Sequence, residues 1–423
     1  MNSASQVRIY RDPSGISPTR AIQLAGLLGF TAIVVTSRWS GADYAIALAL
    51  GGLIAGMQRA RFPAPFWWGV ALVAWAYLTS PFAMSPDQAQ ATALERLKVM
   101  LIFLVVLNAL RTDKHLFIFL LVLVGSFIIY PARGALLNYV HGETVFGRII
   151  WNKIYSNPND LAGLALLAMG AALAIASGVA QRALIRWGSA VAVGIILLVI
   201  LLTQSRGGFL GLMVGYGPPF LKRCFKRPMV PICATLALAL ALAILPDSLW
   251  VRLSGMTKLT STATIAQADP EGSAAQRWQI QKTAWKIFED HPIMGVGLGC
   301  YPLANERYAP GLGDRDTHDT YLNLATELGL PGLLIWLGLV GSVLLHVRKH
   351  SSQKVSLHPS VGTPWLLCGL ISFLVAGIFG TYSGLTMGYL ILGALWVGAT
   401  LSGPARVGRT NRVPRKQPSL RKG

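Results

Sequence analysis

Long apolar runs recur along the whole chain, each bounded by Gly, Pro or charged residues. A perpendicular crossing of a bilayer takes ~20 apolar residues, so several of the twelve runs are short for a full span. They lie at 21–37, 42–57, 64–80, 97–110, 115–130, 160–177, 184–203, 208–221, 229–246, 321–346, 365–380 and 386–401. The pattern predicts an all-α polytopic membrane protein with about twelve transmembrane helices.

One long polar segment interrupts this series. The predicted organisation is an N-terminal arm (1–20), nine helices (21–246), a large loop (247–320), three helices (321–401) and a basic tail (402–423). Within the loop, AAQRWQIQKTAWKIFED predicts an amphipathic helix that Ser273 caps and Pro292 ends. Trp278 and Trp285, seven residues apart, favour its placement at the membrane interface. The following HPIMGVGLGCYP predicts a tight glycine turn and not a dinucleotide-binding loop.

Composition supports a membrane location, since the chain is 53% hydrophobic and 13% charged, against ~25% charged residues in soluble domains. Most of its 37 basic residues fall in alternate loops and in the acid-free tail. Basic loops stay in the cytoplasm, so both termini are predicted there and the large loop on the outer face. The net charge of +20 then reflects topology and attraction to membrane lipids, and no nucleic-acid partner is expected.

A second set of basic residues falls on or near the predicted outer face, where the charge rule leads us to expect few. Its members are Arg38, Arg96, Lys98, Arg133, Arg148, Lys153, Arg206, Arg252, Lys258, Arg277, Lys282, Lys286, Arg307 and Arg315. Each alone can be ordinary solvated surface, because long loops cross the membrane regardless of charge. Together they predict a cationic outer face suited to a polyanionic lipid headgroup.

Arg206, in LLTQSRGGFLG, lies at the outer end of an apolar run. An interfacial arginine that extends toward water is one interpretation. A functional one rests on Gly207, Gly208 and Gly211, which permit close helix packing. A guanidinium held in such a groove is suited to bidentate phosphate recognition.

His318 and Glu327 belong to DTHDTYLNLATELGLPG, where the tenth predicted helix begins. A neutral imidazole at a wet membrane boundary is a competent general base, although a capping or surface histidine is the alternative. Glu327, nine residues later, is predicted to point to the opposite face as a buried structural carboxylate. Asp314, Asp316 and His318 also permit a metal-site interpretation, which is disfavoured because the outer face has no second acidic cluster.

Four blocks in order resemble the superfamily of O-antigen ligases and polymerases, which transfer bacterial envelope glycans: NPNDLAG, TQSRGG, QRW…HPIMGVGLGCYP and HDTYLNLATELGLPG. The resemblance implies a helical bundle like that of the polyprenyl-dependent glycosyltransferases. It assigns pyrophosphate binding to Arg206 and Arg277 and catalysis to His318. Weaker binding candidates, chosen from charge and side alone, are Arg148, Lys153, Arg96 and Lys98.

The resemblance implies an O-antigen ligase in the bacterial inner membrane, with its active site at the periplasmic face. It would transfer a glycan from an undecaprenyl-pyrophosphate donor to the lipid A core. Arginines that stabilise the departing pyrophosphate make a metal or another cofactor unnecessary, and a base on the opposite face predicts inversion. An O-antigen polymerase or a protein O-oligosaccharyltransferase shares the same blocks. A lipid or glycan transporter is a more distant alternative, because the spans are almost free of charge.

Overall fold

The computed structural model describes residues 17–37, 39–178, 182–226, 273–313, 315–351 and 361–402. Its secondary structure is helical, and no β-strand occurs in these ranges. The helices are α1 Pro18–Thr36, α2 Ala42–Ala55, α3 Ala64–Thr79, α4 Pro86–Ala109, α5 Asp113–Phe127, α6 Arg133–Val140, α7 Pro158–Ala176, α8 Ala183–Leu202, α9 Arg206–Lys226, α10 Ser273–Asp290, α11 Tyr301–Tyr308, α12 Thr320–Ser351, α13 Thr363–Ala376 and α14 Thr386–Ser402.

Eleven of the twelve predicted apolar runs coincide with a helix, which confirms the all-α prediction for these segments. The ninth run, 229–246, lies outside the described residues. So do Arg38, Arg252, Lys258, Asp314, most of the N-terminal arm, the first part of the large loop and the basic tail.

Five segments in the described ranges are long and apolar enough to cross a membrane: α1, the continuous segment Asp113–Val140, α7, α8 and α12. Shorter apolar helices are α2, α13 and α14. The outer surface of the bundle is strongly apolar, with Leu184, Trp187 and Met213 exposed by 84%, 71% and 69%. Such a surface is stable against lipid and costly against water, so the chain is a multi-pass membrane protein.

Proline and polar caps define where several of these helices begin. Pro18, Pro86 and Pro158 occupy the first turns of α1, α4 and α7, where a missing N–H costs no hydrogen bond. The Asn157 side chain accepts the Asn159 N–H, and the Thr112 side chain accepts the His115 N–H. These residues satisfy the unpaired backbone donors of a helix N-terminus.

Helix α7 forms the centre of the bundle, with nearly every residue buried between α5, α8, α9 and α13. Small residues allow its close contact with α13, since a Cβ on Gly170 would meet the Gly369 Cα at 3.0 Å. A Cβ on Gly211 of α9 would collide with the Ser372 carbonyl of α13. This agrees with the prediction that the glycines after Arg206 permit close packing.

Chain turns gather at two opposite ends of the bundle. We call one the His318 end; it contains the turns 80–85, 141–157, 203–205, 291–319 and 377–385, joined by contacts such as Ile149 N–H to the Leu202 carbonyl and Met84 N–H to the Val296 carbonyl. The other, the Asn108 end, contains the turns 56–63 and 110–112 and the described residues 177–178 after α7. Loops predicted to lie on one side of the membrane thus meet at one end of the described bundle.

Two predicted boundaries were wrong. Helix α4 begins at Pro86, eleven residues before the predicted start at 97, so Arg96 lies within the helix and not before it. The helix after Thr112 continues to Val140, because a π-helical turn at Ile128–Ala132 accommodates Pro131. Arg133 is therefore helical, and the loop predicted from residue 131 begins at 141.

Helix α12 is broken at Gly329, which has a φ of +68°. Two hydrogen bonds to other parts of the fold fill the break: Leu330 N–H donates to the Pro292 carbonyl of the loop (2.8 Å), and Trp75 Nε1 of α3 donates to the Leu328 carbonyl (2.8 Å). A Cβ at Gly329 would collide with the Ile293 carbonyl. The prediction of one continuous apolar helix over 321–346 is therefore wrong at ELGLPG, where backbone polar groups are satisfied from outside the helix.

Helix α10 has two apolar faces. Ile280, Ala284 and Ile287 are buried in a small cluster with Ala89 of α4 and residues of the 296–304 segment. Trp278 and Trp285 point outward and are 47% and 56% exposed. The structure thus confirms a helix at the predicted position, although its buried face is the aliphatic one and the tryptophans stay available to lipid.

Candidate active site at the His318 end

The turn that carries His318 is held by hydrogen bonds at both of its sides. Asp319 is the N-cap of α12, with its Oδ1 accepting the N–H groups of Tyr321 (2.9 Å) and Leu322 (3.0 Å). Thr320 Oγ1 donates to the Gly380 carbonyl and accepts the Tyr382 N–H. The start of α12 is therefore fixed to the turn between α13 and α14.

His318 itself precedes the helix and has a φ of +52°, in the left-handed region that non-glycine residues seldom adopt. Its side chain is half-buried. Burial lowers the pKa of the imidazole; the charges of Arg277 and Arg315 lower it further, and Asp316 opposes them. The net direction favours the neutral form that a general base requires.

Two arginines predicted to bind pyrophosphate also lie at this end. Arg277 of α10 is close enough to His318 and to Tyr382 to affect the pKa of both groups. Arg206 is half-buried and is the first residue of α9. A Cβ on the adjacent Gly207 would meet Phe379, in the turn that also holds Tyr382. The turn 377–385 thus links the start of α9 to the surroundings of His318.

The two weaker arginine candidates, Arg148 and Arg96, both form hydrogen bonds within the fold. Arg148 is buried, and it donates through Nε to the Thr203 carbonyl (2.8 Å) and through Nη2 to Asn159 Oδ1 (2.8 Å). Arg96 is also buried, with Nη1 donating to the Ser383 carbonyl and to the Tyr389 hydroxyl. Both arginines brace the turns around the site, and these contacts give each a structural role whatever else it does.

The two lysine candidates lie farther toward the surface. Lys98 pairs with Glu95 (2.8 Å) and with Asp43 (3.7 Å), which joins α4 to the start of α2. Lys153 is exposed, with a φ of +49°, and it lines a mostly apolar cavity together with Trp39, Tyr155 and Met387. Lys98 is thus engaged with the carboxylates of α4 and α2, and Lys153 with the cavity beside Tyr155.

Glu327 is buried, 5% exposed, in the first part of α12. Its Oε1 accepts the Tyr301 N–H (3.3 Å), and its backbone carbonyl accepts the Gly297 N–H (2.9 Å). The predicted helical angle between His318 and Glu327 does not apply, because His318 lies outside the helix. Glu327 instead faces the 295–301 turn, whose three glycines all have positive φ, as the predicted glycine turn requires.

Sequence reasoning missed three polar residues near the His318 turn: Tyr382, Asn159 and Asp160. Tyr382 is fully buried and donates to the Asn159 carbonyl (2.5 Å), and burial, with a smaller effect of Asp160, keeps the pKa of its hydroxyl well above the ordinary value. Asn159 Oδ1 accepts from Ser205 (2.9 Å) and from Arg148. Asp160 and Asp316 interact electrostatically. NPND at a helix start was a usable signal for two of them, whereas nothing local marks Tyr382.

The metal interpretation of DRDTHD concerns Asp314, Asp316 and His318, of which the structure describes the last two. No group of three His, Cys, Asp or Glu side chains with metal-binding geometry occurs within the described ranges. Asp314, one of the three ligands considered, lies outside those ranges. The described donors near His318 are instead cationic, which suits an anionic ligand.

A match to a known protein family covers the segment that carries Arg206, Arg277 and His318. Residues 191–337 match the family described as O-Antigen ligase, a segment that runs from α8 through α9 and α10 into α12. It includes Arg206, Arg277, His318 and Glu327, while NPNDLAG precedes it. A comparison with curated proteins found no match. Residues 191–337 are therefore similar to the O-antigen ligase family, which confirms the resemblance drawn from the motifs in this segment.

Proposed function

We propose that the protein is an O-antigen ligase that transfers a glycan from undecaprenyl pyrophosphate to the lipid A core. Enzymes of the matched family act on polyprenyl-linked glycans, which supports this reaction class. The observation that carries the proposal is the half-buried His318 imidazole, placed beside the Arg277 guanidinium at one end of an apolar bundle. A base and a fixed cation at a lipid boundary are what this transfer needs.

His318 acts as the general base. It takes the proton of an acceptor hydroxyl while that oxygen forms a bond to the anomeric carbon of the donor sugar. The bond from that carbon to the pyrophosphate oxygen breaks, and its electron pair leaves with the lipid pyrophosphate. The base and the leaving group lie on opposite faces of the sugar, so the configuration inverts.

Arg206 and Arg277 bind the pyrophosphate and stabilise the charge that grows on it. Two guanidiniums in fixed positions reproduce the electrostatic role of a divalent cation without a proton transfer to the leaving group. Gly207, next to Arg206, packs against Phe379, and Arg277 interacts with Tyr382 in the same 377–385 turn, which supports a ligand held between α9 and α10. The exposed Trp278 and Trp285 offer an apolar surface for the polyprenyl chain.

The orientation in the membrane follows from charge. We propose that the His318 end faces the periplasm of a bacterial inner membrane and that the Asn108 end, with its basic turns, faces the cytoplasm. A protein with an engineered cysteine at the exposed Glu306 of α11 should react with an impermeant maleimide in whole cells with a permeable outer membrane. Labelling only after lysis would reverse the orientation.

A reconstituted transfer assay tests the function. The full-length protein, a lipid-linked glycan donor and core lipopolysaccharide are combined, and the product is identified by mass spectrometry. Glycan attached to the lipid A core supports the ligase. Extended glycan on the donor lipid would identify a polymerase, and glycan on a protein would identify an O-oligosaccharyltransferase. Movement of unmodified donor across vesicles without transfer would identify a transporter.

A further inference from the structure

Two adjoining cavities open at the Asn108 end, far from the proposed active site. The larger, of about 490 Å³, lies between α1, the end of α2 and the turn after α4. The smaller, of about 270 Å³, lies between that turn and the end of α14. Arg20 and Arg111 line both cavities, so the two form one polar recess.

An unpartnered donor points to a ligand in this recess. Gln23 lines the larger cavity and is only 4% exposed. Its Nε2 has no hydrogen-bond acceptor among the described residues. A buried amide N–H₂ without an acceptor is destabilising, because it has lost its hydrogen bonds to water without replacement. A ligand that offers an oxygen acceptor would remove that cost.

The charges around the recess favour an anion. Guanidiniums of Arg20, Arg59, Arg61 and Arg111 line its two cavities, and the described lining contains no Asp or Glu. Burial lowers the pKa of Arg111 to about 10, and the charges of Arg61 and Arg20 add to this effect. Cations that repel one another in a partly buried recess gain stability when an anion lies between them.

Arg111 is already held in place for such contacts. Its Nε donates to the Asn108 carbonyl (2.7 Å), and its Nη2 donates to Asn108 Oδ1 (2.9 Å) and to the Arg59 carbonyl (3.0 Å). The Asn108 side chain also binds the backbone of Arg61. Its Oδ1 accepts the Arg61 N–H (2.7 Å), and its Nδ2 donates to the Arg61 carbonyl (2.9 Å). The guanidinium therefore loses little conformational freedom when it binds a ligand.

The wall of the smaller cavity indicates that the anion belongs to a lipid. Besides its arginines, this cavity is lined by the apolar residues Leu107, Leu110, Trp396, Val397 and Leu401. A cavity lined by both cationic donors and aliphatic and aromatic groups suits a ligand that has a phosphate headgroup and acyl chains. A free anion would gain nothing from the apolar wall.

We propose that this recess binds the phosphate of an acidic phospholipid, with Gln23 and Arg20 as ligand donors and the α14 side chains against an acyl chain. The preference for basic residues on the cytoplasmic side accounts for the presence of charge at this end. It does not account for a buried, unpartnered amide at the centre of that charge. The site is separate from the proposed transfer reaction and does not depend on it.

Native mass spectrometry of the full-length protein tests the proposal, with detergent micelles that contain either phosphatidylglycerol or phosphatidylcholine. The test variants are Arg20→Gln and Gln23→Leu. Gln23→Leu removes a donor that has no protein acceptor, so the fold should be retained. Arg186→Gln is the matched control, because Arg186 is exposed in the first turn of α8 at the same end and lines neither cavity.

We expect the wild type and Arg186→Gln to retain phosphatidylglycerol, and each test variant to bind it about tenfold less tightly, the loss of one charge-assisted hydrogen bond. Equal retention in all four proteins overturns the proposal, provided that size-exclusion profiles show intact folds. Equal retention of phosphatidylcholine by the wild type overturns the preference for acidic lipid. Stabilisation by inorganic phosphate, lost in Gln23→Leu, without lipid retention would overturn the lipid as occupant.

Discussion

Alanine and glycine at position 318 should separate the chemical role of His318 from its backbone strain. Both substitutions remove the imidazole, so each should reduce transfer by about 10²- to 10⁴-fold, the usual contribution of a general base. Their stabilities should differ, because the backbone has a φ of +52°. A residue with a Cβ pays about 1–2 kcal/mol there, which glycine avoids. Glycine loses more chain entropy on folding, which reduces the net advantage of His318→Gly over His318→Ala to about 1 kcal/mol.

The measurement combines the reconstituted transfer assay with unfolding in detergent, followed by tryptophan fluorescence. His291→Ala is the matched control, since His291 is exposed after α10 and its Nε2 forms a hydrogen bond with the Tyr308 hydroxyl (3.3 Å). It should keep full transfer. Substantial transfer in either position-318 variant refutes the base assignment. An alanine variant as stable as the glycine variant refutes the left-handed turn, independently of the chemistry.

Three further predictions concern the charges and the broken helix. Because the pKa of His318 is lowered, transfer by the wild type should persist below the pH at which a free histidine protonates. Arg277→Gln removes a cation that favours the neutral imidazole, so the acidic limb of the pH–rate profile should move to higher pH. An unmoved limb would contradict the proximity of Arg277 to His318. Arg206→Lys and Arg277→Lys should restore only part of the donor binding lost in the Gln variants, measured as KM for the lipid-linked donor, because an ammonium cannot bridge two phosphate oxygens; full restoration would exclude a bidentate contact. Gly329→Ala should lower the free energy of unfolding by at least about 1–2 kcal/mol, whereas Gly341→Ala, with open space at its Cβ, should not; equal stability would exclude the break in α12.

The apolar pattern was a reliable guide to the helices because burial in lipid depends on local composition alone. Helix α7 begins at Pro158 and ends at Ala176, close to the predicted run of 160–177. The pattern failed where polar residues extend a helix, as in the first turns of α4, since a helix end with Asp87 and Gln88 reads as a loop. It also failed at Pro131, where a π-helical turn keeps the helix continuous.

The site was only partly accessible from the sequence, for a different reason. Arg206, Arg277 and His318 stand in recognisable motifs, so each could be named without knowing its neighbours. Tyr382 lies 64 residues after His318 and becomes visible only when Thr320 binds the turn that contains it. The left-handed backbone of His318 likewise depends on contacts on both sides of the turn, and no local signal predicts it.

The interruption of α12 at Gly329 has a consequence for exchanging parts between related enzymes. The carbonyl groups of Thr326 and Glu327 accept hydrogen bonds from the N–H groups of Val296 and Gly297 in the 291–300 loop, and the Leu328 carbonyl accepts one from Trp75 of α3. The 291–300 loop therefore packs against the first part of α12 and supplies hydrogen-bond donors to its carbonyl groups. A chimera that imports a foreign loop without its own partner helix would leave two buried acceptors, the carbonyl groups of Thr326 and Glu327, unsatisfied, so the loop should be exchangeable only together with that helix.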